Sequence, residues 1–473
     1  MKRIADLPGP RGLPILGNLL QVDASSLHLI AEKWSRQYGE VFRFRIGRRQ
    51  LVALANPETI AAVLRERPDG FHRTERLSAI AREMGFNGVF SANGDAWRRQ
   101  RPMVMAGFDP AHIKSYFPML VNVTERFSRR WQRAAAAGTA IDLQADLMRY
   151  TVDVTAGLAF GADINTLESE GDVIQAHLDK IFPALFKRLL APVPYWRWFP
   201  DRKVKRHVVA LRRAVEGFIA QARGRMNNPP RNLIEAMIAA RDTPGSGLTD
   251  DDVAGNVLTM LLAGEDTTAN TLAWMIYLLH RHPVVLARAG EEVSRVRLDR
   301  YEDVSALPFV DACINETMRL KPVAPIIMAQ PTRDTEIAGV QVPKKTLVMC
   351  LMRAGAIDER RFADAKAFEP ARWFSGAQAS SPKRVSMPFG AGPRLCPGRY
   401  LAILEMKMVM AMLLASFEIK SVTTPDGGEA REHLAFTMSP VGLKLRLRMG
   451  SDPIFSTSSA TPERAEAPHA RSA

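Results

Sequence analysis

The longest helical pattern in this chain, between Gly247 and His282, restricts the folds that the chain can adopt. Thr249 and Asp252 open it, three positions apart, as a variant capping box with Asp in place of Glu or Gln. Pro283 ends the pattern, because proline cannot continue a helix. About 33 residues at about 1.5 Å each give a helix about 50 Å long, which must cross an entire domain.

The remaining periodicity predicts a mainly α fold with a smaller β-rich portion. Helical spacing dominates from about 95 to 320, and a further apolar helix is predicted over 400–416. A hairpin is predicted over 41–55, around a Gly-Arg-Arg turn. One strand is predicted over 337–343 and another over 441–447.

The order of these segments also predicts the domain organisation. The chain has 473 residues, 47% of them hydrophobic, which is ample for a large core. Because no repeat or linker separates two cores, residues 1–448 are predicted to form a single domain. Residues 449–473 are rich in Ser, Ala, Pro, Glu and Arg, and are predicted to be a disordered tail.

Charge and cysteine content limit the partners and the compartment. The net charge is +14, but the basic residues are spread along the chain and form no known nucleic-acid module, so we expect no nucleic-acid partner. Three widely spaced cysteines fit a reducing compartment. The N-terminal residues contain no apolar run of signal or spanning length. We therefore expect a cytoplasmic protein without a transmembrane anchor.

A glycine-rich loop before the last predicted helix carries the strongest chemical signal. It reads Phe389-Gly-Ala-Gly392-Pro-Arg394-Leu-Cys396-Pro-Gly398, and its glycines allow close approach to a flat ligand. A cysteine before a helix N-terminus has its thiolate favoured by the helix dipole, and a thiolate is a strong ligand for haem iron. Arg394 can pair with a buried anion such as a haem propionate. The alternative is a buried structural cysteine in a turn.

The spacing Phe-x-x-Gly-x-Arg-x-Cys-x-Gly resembles the haem-binding signature of the cytochrome P450 superfamily. The resemblance implies that Cys396 is the axial ligand of haem b (iron protoporphyrin IX), with Phe389 near its sulfur, Arg394 on a propionate and Gly392 in the cofactor loop. It covers nearly the whole chain, from the Pro-rich start to about Arg448. It implies the P450 fold, with the haem between the long central helix and the cysteine loop.

Two further candidate haem-binding residues lie on an earlier helix. Trp97 and Arg101 are four residues apart and share one helix face. The family has a Trp-x-x-x-Arg helix, and the resemblance implies that both side chains donate to a propionate. Indole N–H and guanidinium groups are suitable donors for a buried carboxylate. The alternative is an ordinary amphipathic basic helix.

The middle of the long helix reads Ala263-Gly264-Glu265-Asp266-Thr267. It resembles the family pattern Ala-Gly-x-Asp/Glu-Thr, which forms a groove over the haem for dioxygen. The resemblance implies that Gly264 adjoins the cofactor and that Asp266 and Thr267 relay protons. From the residues alone, the alternative is a helix bend, since a Thr hydroxyl can bond to the carbonyl one turn earlier.

A third group of residues is assigned to folding and haem retention rather than to catalysis. Glu316 and Arg319 stand at i and i+3 and can pair on one helix face, which alone would indicate an ordinary surface ion pair. The family's Glu-x-x-Arg helix pairs with a later arginine, which is matched here by Arg372 in Glu-Pro-Ala-Arg. The resemblance implies a buried triad.

The resemblance also places an apolar substrate pocket over the haem, and each of its residues could instead be part of the core. An apolar pocket implies a lipophilic small molecule held by surface burial. The candidate lining residues are Phe86, Phe90, Phe182, Phe186, Ala263, Val323, Ile326, Ile327 and Phe436.

These features predict a haem-thiolate monooxygenase that inserts one oxygen atom of O2 into a lipophilic molecule, by hydroxylation or epoxidation. No flavin, nicotinamide or iron–sulfur domain is visible, so electrons are expected from a separate acidic ferredoxin or flavodoxin with its reductase. Its docking residues would be Arg98, Arg99, Lys383, Arg384, Arg399 and Lys407. The alternatives are a haem-thiolate peroxygenase or isomerase, or a non-catalytic haem-binding protein. We expect a soluble bacterial monomer.

Overall fold

The structure, a computed structural model, describes residues 2–161, 163–168, 173–191, 193–225, 230–374 and 382–450. Nearly all of the predicted tail, 449–473, lies outside the described residues. So does the side chain of Phe182, one of the predicted pocket residues.

Helices form most of the fold, as the periodicity predicted. They are α1 (Leu27–Tyr38), α2 (Pro57–Arg65), α3 (Glu75–Glu83), α4 (Gly94–Gly107), α5 (Pro110–Ala136), α6 (Leu143–Phe160), α7 (Val173–Leu190), α8 (Tyr195–Trp198), α9 (Arg202–Arg223), α10 (Leu233–Asp242), α11 (Asp250–Arg281), α12 (Pro283–Val293), α13 (Tyr301–Ser305), α14 (Pro308–Leu320), α15 (Pro382–Val385) and α16 (Arg399–Ser416).

The strands are short and lie mostly towards the two ends of the chain. They are β1 (Lys2–Arg3), β2 (Val41–Ile46), β3 (Arg49–Leu54), β4 (Phe71–His72), β5 (Ile141–Asp142), β6 (Ile326–Pro331), β7 (Thr335–Ile337), β8 (Val340–Val342), β9 (Leu347–Leu351), β10 (Phe417–Thr423), β11 (Glu432–Leu434), β12 (Met438–Pro440) and β13 (Lys444–Met449). The largest sheet has the order β2-β3-β9-β6-β4, in which β3 and β9 run parallel and the other neighbours antiparallel.

The long central helix is confirmed as α11, with 32 residues. The predicted capping box is present: the Thr249 hydroxyl accepts from the Asp252 amide at 3.1 Å, and the Asp252 carboxylate accepts from the Thr249 amide at 2.9 Å. α11 packs along α6 and also contacts α9, α14 and α16, so it crosses the helical core as its length required.

One predicted strand is wrong in its extent. The run 337–343 is divided between β7 and β8, which pair antiparallel as a hairpin. Ala338 and Gly339 between them have positive φ angles of 49° and 79°. Two successive residues with positive φ form the tight turn that reverses an antiparallel pair, so one continuous strand cannot pass through them.

No helix of the described residues is long and apolar enough to cross a membrane.

Candidate functional site

The middle of α11 borders a space inside the protein. Residues 253–261 and 268–279 are buried. Between them Ala263 is exposed, and Gly264, Asp266 and Thr267 are partly accessible. Because the helix is buried on both sides of this stretch, the accessible residues indicate an internal cavity rather than the outer surface.

The cysteine loop places the sulfur of Cys396 just before a helix. The Cys396 amide donates to the Phe389 carbonyl at 3.0 Å, which closes the loop, and α16 begins at Arg399. Burial raises the pKa of Cys396, while the Gly398 amide hydrogen bond to the sulfur and the charges of Arg101 and Arg399 oppose that rise. Proline at 397 has no N–H, so Gly398 supplies the donor.

The three cysteines differ in accessibility. Cys313 and Cys350 are fully buried, and burial raises the pKa of each thiol to about 12. Cys396 remains partly accessible. A thiol that is to bind a metal needs both an open face and donors for its thiolate, and Cys396 has both. The alternative of a purely structural cysteine fits the other two better.

The two glycines assigned to the cofactor have different roles. Gly392 has a φ of +70°, and a Cβ there would lie 2.5 Å from the Cα of Arg65, so glycine lets the loop pack on the end of α2. A Cβ on Gly264 would lie 2.4 Å from the Thr155 hydroxyl on α6. Its missing side chain therefore allows close packing of α11 on α6, and its place beside the cofactor stays a prediction.

Three of the residues predicted to bind the haem propionates lie together beside the cysteine loop. The Arg394 guanidinium lies 5.0 Å from the Trp97 ring centre and donates to the Ala92 carbonyl at 2.6 Å. The Arg394 Nε is buried without a hydrogen-bond partner. Arg101 donates to the Leu395 carbonyl at 2.5 Å. Burial lowers the pKa of Arg101. Burial and the nearby charges of Arg67 and Arg101 lower the pKa of Arg394 to about 9.

Two further arginines belong to this group and were missed by the sequence analysis. Arg67 is 3% exposed, and burial lowers its pKa to about 10. Burial, Arg67 and Arg394 lower the pKa of Arg73, whose Nε is buried without a partner. No sequence signal separates them from the many surface arginines. We call Arg67, Arg73, Arg101 and Arg394 the arginine cluster.

The arginine cluster fits the cofactor that the cysteine loop implies. Within the described part of the chain, none of its four members forms an ion pair with a carboxylate. Arg67 and Arg394 are buried, and Arg73 and Arg101 are half-buried. Guanidinium groups withdrawn from water without a counter-charge are costly, so the cluster needs an anion. Haem b carries two propionates, and the cluster lies beside the one accessible thiol among the described cysteines.

The two predicted relay residues have separate hydrogen bonds. The Asp266 carboxylate accepts from the Asn270 amide at 2.7 Å and from the Thr437 hydroxyl. The Thr267 hydroxyl donates to the Ala263 carbonyl at 2.8 Å, the backbone bond that the helix-bend alternative predicts. Asn270 and Thr437 were missed, since Thr437 is 171 residues away in sequence.

The expected pairing around Glu316 is present, and it is buried. Arg319 donates to both Glu316 carboxylate oxygens at 2.8 Å, and Arg372 donates to one of them at 2.9 Å. Trp373 and the Glu369 amide complete the carboxylate's hydrogen bonds. Glu316 and Arg319 are both 0% exposed at their side chains, which excludes a surface ion pair.

The predicted pocket residues differ in what they contact. Phe90 and Phe436 contact edge to face, with ring centres 5.8 Å apart. Ile326 and Ile327 are neighbours on β6 and pack against different apolar clusters, and the place of each in the pocket stays a prediction. Phe86 is 5% exposed within the helical core, which favours the core-packing alternative.

The other predicted pocket residues are compatible with an open space. Ala263 is exposed, and Phe186 and Val323 are partly accessible. The Val323 carbonyl accepts from the Met438 amide at 2.8 Å, which holds it next to the Phe436 loop.

The predicted docking residues also differ in availability. Lys407 is 8% exposed, donates to the Ser305 carbonyl and pairs with Asp311, so its assignment to a docking surface is wrong. Arg98 is exposed but paired with Asp69 and Asp95. The remaining basic side chains are exposed or partly so: Arg99, Lys383, Arg384 and Arg399.

Comparisons with known proteins agree with this site. The cytochrome P450 family model matches residues 7–447. A self-sufficient cytochrome P450 monooxygenase of Aspergillus niger is 29% identical over 95% of this chain, which spans only 44% of that protein. Pentalenene oxygenase of Streptomyces avermitilis is 25% identical over 93% of this chain and 96% of its own.

A solved structure supports the fold alone, because it is 24% identical. It is a cytochrome P450 heme domain with a TM-score of 0.84, covering 95% of this chain and 98% of its own. With the family model matching nearly the whole chain, and a cysteine loop and arginine cluster suited to haem, the chain belongs to the cytochrome P450 family.

Proposed function

We propose that this chain is a haem-thiolate monooxygenase that converts R–H, O2, two electrons and two protons into R–OH and water, or a C=C bond into its epoxide. The observation that carries the proposal is the partly accessible Cys396 beside four arginines that have no carboxylate partner among the described residues. The relatives named as monooxygenase and oxygenase support the same reaction class.

Haem b would be held by residues that the fold already places together. Cys396 would ligate the iron, Phe389 would pack near its sulfur, and Trp97, Arg101 and Arg394 would bind the propionates. When bound, the haem supplies the centre at which O2 is reduced and its O–O bond is cleaved. Glu316, Arg319 and Arg372 stabilise the fold near the loop without contacting the reaction.

Asp266 and Thr267 would deliver the two protons. Thr267 lies on the accessible stretch of α11, where its hydroxyl can leave the Ala263 carbonyl and donate into the cavity. Asp266, next to it, accepts from Asn270 and Thr437 and would replace the proton. Delivery through side chains keeps bulk water out of the site.

The substrate is proposed to be lipophilic, because the contacting rings of Phe90 and Phe436 lie next to Thr437, which donates to Asp266 on the accessible part of α11. Electrons would come from an acidic ferredoxin or flavodoxin with its reductase, and exposed Arg99, Lys383 and Arg384 support an acidic partner.

We further propose that residues 1–448 form one domain of a cytoplasmic monomer.

The proposal is tested by the reduced carbon monoxide spectrum and by turnover. A thiolate ligand gives a strongly red-shifted Soret band, which the wild type should show and Cys396→Ser should lose. Cys350→Ala, at a buried thiol, is the matched control and should keep the band. Product formed with a surrogate ferredoxin system supports the monooxygenase; product formed only with peroxide would indicate the peroxygenase alternative.

A further inference from the structure

Two histidines meet where helices α7 and α9 pack against each other. The Nδ1 atoms of His177 and His207 lie 2.9 Å apart, and the centres of their rings lie 5.0 Å apart. Both residues are half-buried, so the pair is seated between the helices and is still reached by solvent. Haem binding and turnover, as proposed above, make no use of this pair.

The two facing nitrogens have room for one proton only. One Nδ1–H donates to the lone pair of the other Nδ1, because two N–H groups cannot point at each other at this distance. If that proton moves to the far nitrogen of its ring, Nε2, both Nδ1 atoms offer lone pairs to the space between them. Two imidazole lone pairs that face one space can bind a transition-metal ion.

The distance between the two nitrogens favours one kind of ion. Metal–imidazole bonds are about 2.0–2.1 Å long, so nitrogens 2.9 Å apart subtend about 90° at a shared ion. This is the angle between neighbouring ligands in the square-planar or octahedral coordination of Cu²⁺ and Ni²⁺. Tetrahedral Zn²⁺ needs about 109°, and therefore about 3.3 Å between the nitrogens.

Water would supply the other ligands of such an ion. Across the described ranges of the chain, no third His, Cys, Asp or Glu joins the pair in a metal-binding group. An ion held by two protein ligands exchanges more readily than a structural ion, which has four. It would nevertheless link α7 to α9, because each helix supplies one ligand.

We propose that His177 and His207 form a binding site for a divalent transition-metal ion, Cu²⁺ or Ni²⁺ in preference to Zn²⁺, which links α7 to α9. The proposal goes beyond the proposed function and does not depend on it. Three exposed cations on the same two helices, Lys180, Lys203 and Arg206, oppose the ion. Lys203 stands four residues before His207 and so shares its helix face. Added salt should therefore tighten binding by screening these charges.

The test is isothermal titration calorimetry of the haem-loaded full chain, without an affinity tag, at neutral pH. NiCl2 is the probe, and ZnCl2 is titrated separately. The wild type should bind Ni²⁺ more tightly than Zn²⁺. His177→Gln and His207→Gln should each weaken Ni²⁺ binding by about tenfold or more. The double variant should bind no more weakly than either single variant, because one imidazole alone cannot bridge the helices.

His433→Gln is the matched control, because His433 is exposed on β11 and pairs with no histidine within the described part of the chain. It should keep the wild-type affinity, and Lys203→Gln should raise it by about threefold. A wild type that binds no Ni²⁺, or that binds Zn²⁺ more tightly, overturns the proposal. So do single variants whose losses add up in the double variant, since that result indicates two separate histidines.

A second measurement uses the wild type alone, so that it does not depend on the folding of a variant. Diethyl pyrocarbonate modifies accessible imidazoles, and peptide mass spectrometry locates the modified residues. Ni²⁺ should protect His177 and His207 together and leave His433 reactive. Protection of only one member of the pair, or of all three histidines alike, would contradict a shared site.

Discussion

Buried arginines in this molecule fall into two groups that differ in their partners. Arg319 and Arg353 each donate to carboxylates that are themselves buried. Arg67 is buried and Arg73 half-buried, yet the described residues offer them no carboxylate. A buried charge must be compensated. The first group is compensated within the chain and holds the fold together, and the second depends on a ligand, which marks the site.

The Arg353 group is the larger of the two internal networks. Arg353 donates to both Glu32 oxygens and to both Glu432 oxygens, at 2.7 to 3.0 Å. His28 and Lys321 also contact Glu432. Burial works against the charge of Arg353, but the two carboxylates outweigh it and raise its pKa. The network joins α1 to β9, β11 and the end of α14.

The largest expected effect comes from breaking this network. Arg353→Met would leave Glu32, 4% exposed at its side chain, as a buried charge without its partner. We expect the free energy of unfolding to fall by about 3–5 kcal/mol. Urea unfolding followed by circular dichroism measures it. Arg360→Met, at an arginine that is 74% exposed and paired with Asp358, is the control and should leave stability unchanged. Equal effects at both positions would contradict the distinction.

The same comparison applies to buried acids. Glu316 faces two arginines, whereas Glu405 forms no ion pair among the described residues and its hydrogen bond is with Thr268. Burial raises the pKa of Glu405 from 4.5 to about 8, and the Thr268 bond offsets only part of this. Burial therefore favours the neutral form of Glu405, whereas Glu316 has two arginine partners.

This difference predicts that the free energy of unfolding depends on pH. Below about pH 4.5 Glu405 is protonated in both states, and up to about pH 8 the unfolded chain releases a proton that the folded chain keeps. Stability is thus lost as the pH rises through that window. Glu405→Gln should remove the loss and exceed the wild type at pH 9 by on the order of 3 kcal/mol. Urea unfolding across this pH range measures it.

The control for this pH effect is Glu429→Gln, because Glu429 is exposed. It should keep the wild-type slope of stability against pH. A Glu405→Gln variant whose stability falls with pH as steeply as the wild type would show that Glu405 does not control the slope.

The networks also show what could be read from the sequence. Glu316 and Arg319 are three residues apart, so helix geometry alone brings them together. The capping box of α11 and the cysteine loop are local in the same way. Arg353 and Glu32 are 321 residues apart, and Thr437 and Asp266 are 171 apart. Such pairs come from tertiary packing, for which the spacing of residues gives no signal, and Arg67 and Arg73 were missed for the same reason.

For Arg67 and Arg73, to which the described residues offer no carboxylate, the effect of removing the arginine on the free energy of unfolding should have the opposite sign. Arg67→Met would remove a buried charge that has no carboxylate partner in the described part of the chain, so the haem-free protein should gain about 1–2 kcal/mol in unfolding free energy. With haem bound, the same change should speed haem transfer to apomyoglobin, since an anion of the cofactor would lose a cation. A destabilised haem-free variant would place Arg67 in the internally compensated group instead.

The smallest expected effect concerns Asp266. Asn270 and Thr437 donate to its carboxylate and so help to position it. Thr437→Val keeps the shape and removes one hydrogen bond, which should cost about 1 kcal/mol in stability. If Asp266 supplies protons, the fraction of electrons that end in product should fall while haem content stays constant. Thr424→Val, which breaks a Thr–Asp contact in an exposed turn, is the control. Unchanged coupling in Thr437→Val would show that the bond to Thr437 only supports the fold, and that the acid needs no such positioning to reload Thr267.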